Sequence, residues 1–311
     1  MMSFLPRVLG SVGMMLVVSM VLFGLVRAIP VSPALVVLGP DATAVDLAQF
    51  DRDHGLDRPM AVQYWRWMSG MARGDFGESY SDGTAIGPRI AATFPITLEL
   101  VVAGFAFAVG VAVPLGVVSA LYEGRWIDHL ARLVAVVGVS VPGFWLGLLL
   151  IGWFAVGLRW LPPGGYVEWA EGPGAHVRAM VLPTIAVGFY YVAIISRMTR
   201  SSVSEVLGQD HVRTARAMGI GRARALLYVL KCAAGPVVTV SAMSFGYMFG
   251  WALIVEQVFN IAGMSRALLS AIFQRDYLTV QAIVLVITAI FLGANLVADG
   301  LYRVLNPRLT A

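Results

Sequence analysis

Few side chains in this 311-residue sequence are equipped for covalent or acid–base chemistry: four histidines, one cysteine and one lysine. The lysine, Lys231, is followed by Cys232, so the Gly-x-x-x-x-Gly-Lys-Ser/Thr loop that cradles nucleotide phosphates cannot be built. If ATP drives this protein, another chain binds it. His54, His129, His176 and His211 form no His-Glu-x-x-His zinc pair, and no Gly-x-Ser-x-Gly elbow presents a nucleophile. Each histidine reads most simply as a loop or interfacial residue. His54, set among Asp51, Asp53 and Asp57, is the one place with the residues for a weak metal contact. A lone cysteine excludes an internal disulfide and a cysteine-based metal site, and Cys232 reads as inert packing in an apolar run. No catalytic residue, resident cofactor or metal is expected.

What remains is recognition. The stretch from Arg197 to Lys231 is basic, rich in Ala and Arg, and interrupted by Gly208, Gly219 and Gly221, which permit sharp turns between short helices. Within it, the small residues Ala215 and Ala217 let a partner backbone come close, and Gly219 ends the helix. Arg213, Arg216, Arg222 and Arg224 offer charge-assisted contacts to an acidic partner. A basic loop beside anionic lipid has the same composition, so docking and lipid contact both stand on physics alone. Three acids fall near the ends of apolar runs: Glu99, Glu256 and Asp299. They are either interfacial charges or caps, or, for Glu99 and Glu256, groups facing a translocation cavity, since a lipid-facing carboxylate is costly.

The elements that must position these residues are set by composition. The chain is 59% apolar and 13% charged, about half the charge of a soluble domain. A soluble globule of this size would expose large apolar patches. Six charge-free intervals run Val8–Val26, Leu100–Tyr122, Leu133–Leu158, Ala179–Ser196, Cys232–Val255 and Tyr277–Ala298, between 18 and 26 residues long. Each is near the roughly 20 residues a helix needs to cross the hydrocarbon layer. A β-barrel would instead show alternating segments of about ten residues. The first interval is longer than a signal-peptide core, and no Ala-x-Ala site follows it, so it reads as a retained anchor. Their charge-free centres argue against a proton relay and leave a neutral ion path open.

Even spans put both termini on one side. With the N-terminus inside, twelve basic residues fall in short inner segments, whereas six of the ten outer ones lie between Arg27 and Arg89 beside eight acids. Long segments weigh little in the positive-inside rule, so both termini are expected in the cytoplasm. The net charge of +4 is spread along the chain rather than gathered on one face, and no nucleic-acid partner is expected. The outer segment from Pro30 to Pro95 is either a small folded cap or an interfacial segment whose aromatics (Tyr64, Trp65, Trp67, Phe76) touch headgroups.

At the inner loop the sequence resembles a known family. Val212-Arg213-Thr214-Ala215-Arg216-Ala217-Met218-Gly219, with Pro236 opening the next span, is similar to the coupling-loop motif of permease subunits of binding-protein-dependent ABC importers. It resembles in particular the B-type permease of the dipeptide/oligopeptide/nickel branch. Five further motifs follow its order: Gly74-Asp75-Phe76-Gly77-Glu78-Ser79, Pro95-Ile96-Thr97-Leu98-Glu99-Leu100, Val139-Ser140-Val141-Pro142-Gly143-Phe144-Trp145, Trp160-Leu161-Pro162-Pro163-Gly164-Gly165-Tyr166 and Arg275-Asp276-Tyr277. The chain departs from the family pattern after Glu256, where a proline and a second glycine are replaced. It departs again at Leu278, where proline is common, and at Asn306-Pro307-Arg308, where the family has Asp-Pro-Arg.

The resemblance implies an all-α integral membrane protein with six transmembrane helices in the type I ABC importer permease fold. Residues 1–95 would hold the first span and the long outer loop, 96–305 a five-helix core with the coupling loop at about 200–231, and 306–311 a tail. It implies a multi-pass location in the bacterial cytoplasmic (inner) membrane. The implied partners are a second, homologous permease, two ATPase subunits that carry ATP and Mg, and an extracytoplasmic solute-binding protein. Arg213, Thr214, Ala215, Arg216, Ala217 and Gly219 would dock the ATPase, and Glu99, Glu256, Phe144 and Trp145 would face the translocation cavity. Short peptides are the expected cargo, with nickel chelates or glutathione-like molecules as alternatives. A self-sufficient channel or ion-driven carrier is the reading from another class.

Overall fold

In hydrocarbon the backbone must satisfy its own hydrogen bonds, and a run of Leu, Val, Ile, Ala and Phe can do so only as helix. A computed structural model describes residues 4–29 and 32–305. Apart from one isolated bridge, Glu78 to Ala85, its regular structure is helical. In chain order the helices are α1 (Phe4–Arg27), α2 (Pro33–Leu38), α3 (Ala44–His54), α4 (Met60–Ala72), α5 (Ile86–Leu121), α6 (Trp126–Ser140), α7 (Gly143–Leu150), α8 (Pro173–Leu207), α9 (Asp210–Ala217), α10 (Arg222–Val258), α11 (Met264–Phe273) and α12 (Tyr277–Leu305). The tail with Asn306, Pro307 and Arg308 lies outside the described residues, as do the side chains of Arg216 and Asp299.

Among the described residues five helices are long and apolar enough to cross a membrane: Pro6–Arg27, Ile86–Leu121, Pro173–Leu207, Arg222–Val258 and Tyr277–Val297. The sixth span is not the single helix expected over Leu133–Leu158. It is a broken pair, Trp126–Ser140 and Gly143–Gly157, bent by 104°. Pro142 causes the break: it cannot donate to the helix ladder, and its ring forces the preceding residue out of helical geometry. Val141 is accordingly extended, at φ −87° and ψ 120°. Beyond α7 the chain widens into a π-helix over Ile151–Gly157.

A second correction concerns the inner segment. It is not a string of short helices. α8 runs 35 residues and α10 runs 37, both far past the charge-free intervals. At 1.5 Å per residue each is over about 50 Å long, against a hydrocarbon thickness of about 30 Å. Pro236 therefore lies inside α10 rather than opening it.

The chain divides into two compact units. One comprises Thr97–Ile261 together with residues 293–305. In it α8 is the central post, packed against α6, α7 and α10. The crossing of α8 on α5 is a glycine contact: a Cβ on Gly188 would lie 2.6 Å from the Gly104 carbonyl oxygen. Such backbone approach is how membrane helices gain close packing without a hydrophobic drive between them.

The other unit comprises Phe4–Ile96 and Ala262–Leu292. The outer segment folds into three short helices, α2, α3 and α4. Thr43 begins α3 with a reciprocal capping box to Asp46. Tyr64 and Trp67 on α4 pack against Phe23 of α1, with centroids 5.5 and 6.0 Å away, and the Tyr64 hydroxyl lies 2.8 Å from Ser19 Oγ. Trp65 points the other way and is 71% exposed. The motif Arg275-Asp276-Tyr277 proves to be a clasp. Buried Asp276 accepts from the Thr279 hydroxyl at the start of α12 and from the Tyr80 backbone N–H at 3.3 Å. Leu278, at the position where the family commonly has proline, packs directly onto Gly77.

Candidate functional site

The inner site is built on α9. Most of its described side chains are exposed, and one holds it down: Val212, 1% exposed, sits in an apolar cluster with Ala120, Val203, Val206, Val229 and Ala233. Those residues come from the inner parts of α5, α8 and α10, so the short helix is fixed to the ends of three long ones. The Thr214 hydroxyl donates to the Asp210 carbonyl at 3.0 Å, tightening the turn. At the far end Gly219 takes φ +78°, letting Ile220 N–H return to the Ala215 carbonyl at 3.2 Å. This is the left-handed stop that glycine makes without strain. Arg213, Ala217, Met218 and Ile220 are exposed and Ala215 is half-buried. Arg213 lies 3.7 Å from Asp210 across an open turn, a surface pair that leaves it free to engage a partner. Arg222 and Arg224 are exposed at the start of α10.

Below α9 lies a charge cluster that sequence reasoning did not single out. Asp128, on the first turn of α6, is wholly buried. It accepts from Ser119 Oγ at 2.6 Å, from Gly124 N–H at 3.0 Å, and from Arg200 through Nε at 2.7 Å and Nη2 at 3.0 Å. Arg132 approaches to 3.1 Å, and Arg200 also reaches Glu123 at 3.2 Å. One carboxylate thereby ties α5, α6 and α8 together where they leave the apolar interval. The sequence carried only half a signal: Asp128 and Arg132 are four apart, but Arg200 is distant in the chain.

At the opposite end of α8, Glu99 is no bare cavity charge. Tyr166 donates to its Oε2 at 2.8 Å and Trp169 Nε1 to its Oε1 at 2.7 Å, while His176 Nε2 lies 2.8 Å from Oε1. His176, expected in a loop or at an interface, is buried at 2% exposure and stacks on Trp169 at 4.0 Å. Its Nδ1 lies 2.6 Å from the Val167 carbonyl, which can only accept, so that nitrogen carries a proton. Glu256 is fully buried on α10 and accepts from Thr97 Oγ1 at 2.6 Å, two residues before Glu99. Phe144 and Trp145 lie at the start of α7, 43% and 48% exposed. His54 is taken up locally: its ring stacks on Phe50 at 4.0 Å, and Nδ1 is 2.9 Å from the Phe50 carbonyl.

Truncation of the Glu99 carboxylate tests that outer pin. Glu99→Ala leaves the Tyr166 phenol and the exposed Trp169 indole without their acceptor and empties the place beside buried His176; a lost partner costs about 1–3 kcal/mol when buried. We expect a loss above about 2 kcal/mol in thermal unfolding of the detergent-solubilised protein. Glu99→Gln, which keeps one acceptor oxygen, should lose less. Equal and small losses for both would remove the carboxylate's structural role.

These helices make a multi-pass membrane subunit that presents one short helix, α9, on its surface. The chain belongs to the family described as binding-protein-dependent transport system inner membrane component, which matches residues 112–311, with the N-terminal component of the same systems matching residues 1–101. It is 37% identical over 306 residues to the glutathione transport system permease protein GsiC of Salmonella paratyphi A, covering 98% of this chain and 97% of that one. It is 36% identical to GsiC of Escherichia coli K12 over the same length. Among solved structures, the inward-facing MetNI methionine ABC transporter shares the fold, with TM-score 0.56 at 15% identity over 70% of this chain and 95% of that one. The chain is thus a multi-pass inner-membrane permease subunit of a binding-protein-dependent ABC importer, of the dipeptide/oligopeptide/nickel branch.

Proposed function

We propose that this permease moves short peptides inward as one half of a heterodimer with a homologous permease. Two ATPase subunits engage the two α9-type helices, and an extracytoplasmic binding protein delivers the cargo. The observation that carries this reading is the build of α9: held by Val212, stopped by Gly219, and presenting Arg213, Ala217, Met218 and Ile220 to a partner. ATP-driven approach of the ATPases pushes that helix, and α8 and α10 transmit the push as rigid bodies. Phe144 and Trp145, exposed where the broken span turns, line the path. Tripeptides of the glutathione type are included in the cargo, because the relatives named above are glutathione permeases and match nearly the whole chain.

The test is uptake into proteoliposomes holding the four-subunit assembly, the binding protein and internal ATP. Labelled di- and tripeptide uptake should require all components and be competed by unlabelled peptide and glutathione. Uptake by this chain alone would make it a carrier or channel. Competition by a nickel chelate and not by peptide would replace the cargo class.

A further inference from the structure

In the unit that contains the cap, a cavity of about 190 Å³ lies between the last turn of α1, α3, α4 and the start of α12. Three of its lining residues hold buried polar atoms with no protein hydrogen-bond partner among the described residues: Arg27 Nε, Gln63 Oε1 and Trp67 Nε1. Buried polar atoms are paired in the great majority of cases, and each orphan costs about 1–3 kcal/mol. Three around one small cavity, two donors and one acceptor, describe a ligand rather than a defect. The donors favour an anion. Among the described residues Arg27 makes no ion pair; its guanidinium carbon lies 5.3 Å from the centre of the Phe23 ring. Arg66 brings a second guanidinium to the lining and Asp75 a single carboxylate, so the wall is positive on balance. Tyr80 also lines it; burial raises its phenol above the ordinary range, with Arg27 opposing and Asp276 adding to that rise.

Depth identifies the source. The charge-free interval of α1 ends at Val26, and Val26 and Arg27 both line the cavity, which places it at the water interface of a span. Trp65, 71% exposed on α4 beside it, is the residue type that settles at headgroup level. The volume lies below the roughly 300–1,000 Å³ of sites that engulf a drug-sized ligand, so a compact group enters and not a peptide. We propose that the cap is a phospholipid-headgroup site: a phosphate held by Arg27 and the Trp67 indole N–H, and a headgroup hydroxyl or ammonium donating to Gln63 Oε1.

Native mass spectrometry of the intact four-subunit transporter tests this. The assembly, released from detergent, is titrated with dioctanoyl phosphatidylglycerol or phosphatidylethanolamine, with dioctanoylglycerol, and with inorganic phosphate. Saturable binding of either phospholipid is expected, with Arg27→Gln and Trp67→Phe each weakening it about tenfold, the loss of one charge-assisted hydrogen bond. Trp67→Phe keeps an aromatic ring facing Phe23 while removing the N–H and part of the indole, so it speaks to the site even if Arg27→Gln folds poorly. Arg52→Gln, the same charge change on the exposed face of α3, should leave binding unchanged. Equal retention of dioctanoylglycerol, or insensitivity to both variants, overturns the site. Inorganic phosphate binding as tightly as phospholipid, with the same variant dependence, overturns the lipid assignment and leaves a free anion as the occupant.

Discussion

Gly219→Val is expected to yield a transporter that assembles and hydrolyses ATP but takes up little or no cargo. The position has open space around it, with no atom within 4 Å of an added Cβ. The penalty is therefore one of backbone. At φ +78° an L-residue costs about 1–2 kcal/mol, and a β-branched one more. The cheapest relief is to abandon the stop that returns Ile220 N–H to Ala215, so the last turn of α9 loosens while its Val212 anchor stays in place. A helix that yields when pushed transmits nothing. Gly221, two residues on, sits at φ −58°, so Gly221→Val serves as the control and should transport normally. Ala215→Glu should reproduce the defect by placing a charge on the docking turn. The measurement is the ratio of binding-protein-stimulated ATP hydrolysis to peptide uptake in proteoliposomes. Normal ratios for both Gly219→Val and Ala215→Glu would sink the coupling role of α9.

Asp128→Ala should be among the most destabilising single changes available in the chain. It removes one buried carboxylate, leaves the Ser119 hydroxyl and the Gly124 N–H without that acceptor, and leaves the partly exposed Arg200 guanidinium with Glu123 alone. Deleting one partner of a buried pair costs about 3–5 kcal/mol, and the remaining Glu123 contact and the exposure of Arg200 place this loss at about the lower end. Replacing both, in Asp128→Ala/Arg200→Met, should recover part of the loss, and the double-mutant cycle gives the coupling energy. Thermal unfolding in detergent and membrane yield read it out. If Asp128→Ala unfolds within about 1 kcal/mol of the parent, the cluster is not what joins the three helices.

Much of the architecture is legible in the residue order because lipid is an undemanding reader: a charge-free run of about 20 residues has one stable conformation in it. The same reasoning fails where a local constraint interrupts the run. Val141-Pro142 is plain in the sequence, yet hydropathy is blind to the bend it imposes. It also fails where charges are satisfied from afar. Gly208, Gly219 and Gly221 suggest short helices parted by turns over Arg197–Lys231; Arg200 is instead inside α8, paired with Asp128. His176 read as a surface residue because its partners, Glu99 and Val167, lie on other segments. Of the docking residues, Arg213, Thr214, Ala215, Ala217 and Gly219 do share one short helix and its stop. Val212, which anchors them, was only the first letter of the motif, since one valine among many announces no role.

The length of α8 has a mechanical consequence. One helix, continuous through Pro183, carries His176 near its outer end, Gly188 against α5 midway, and Arg200 near its inner end. Over about 50 Å, a swing of roughly 5° moves one tip by about 4 Å relative to the other. The Gly188 contact is a fulcrum set where two backbones touch and neither can compress. A small displacement at the inner tip is thereby returned at the outer tip, in the opposite sense, without any residue between having to change its conformation.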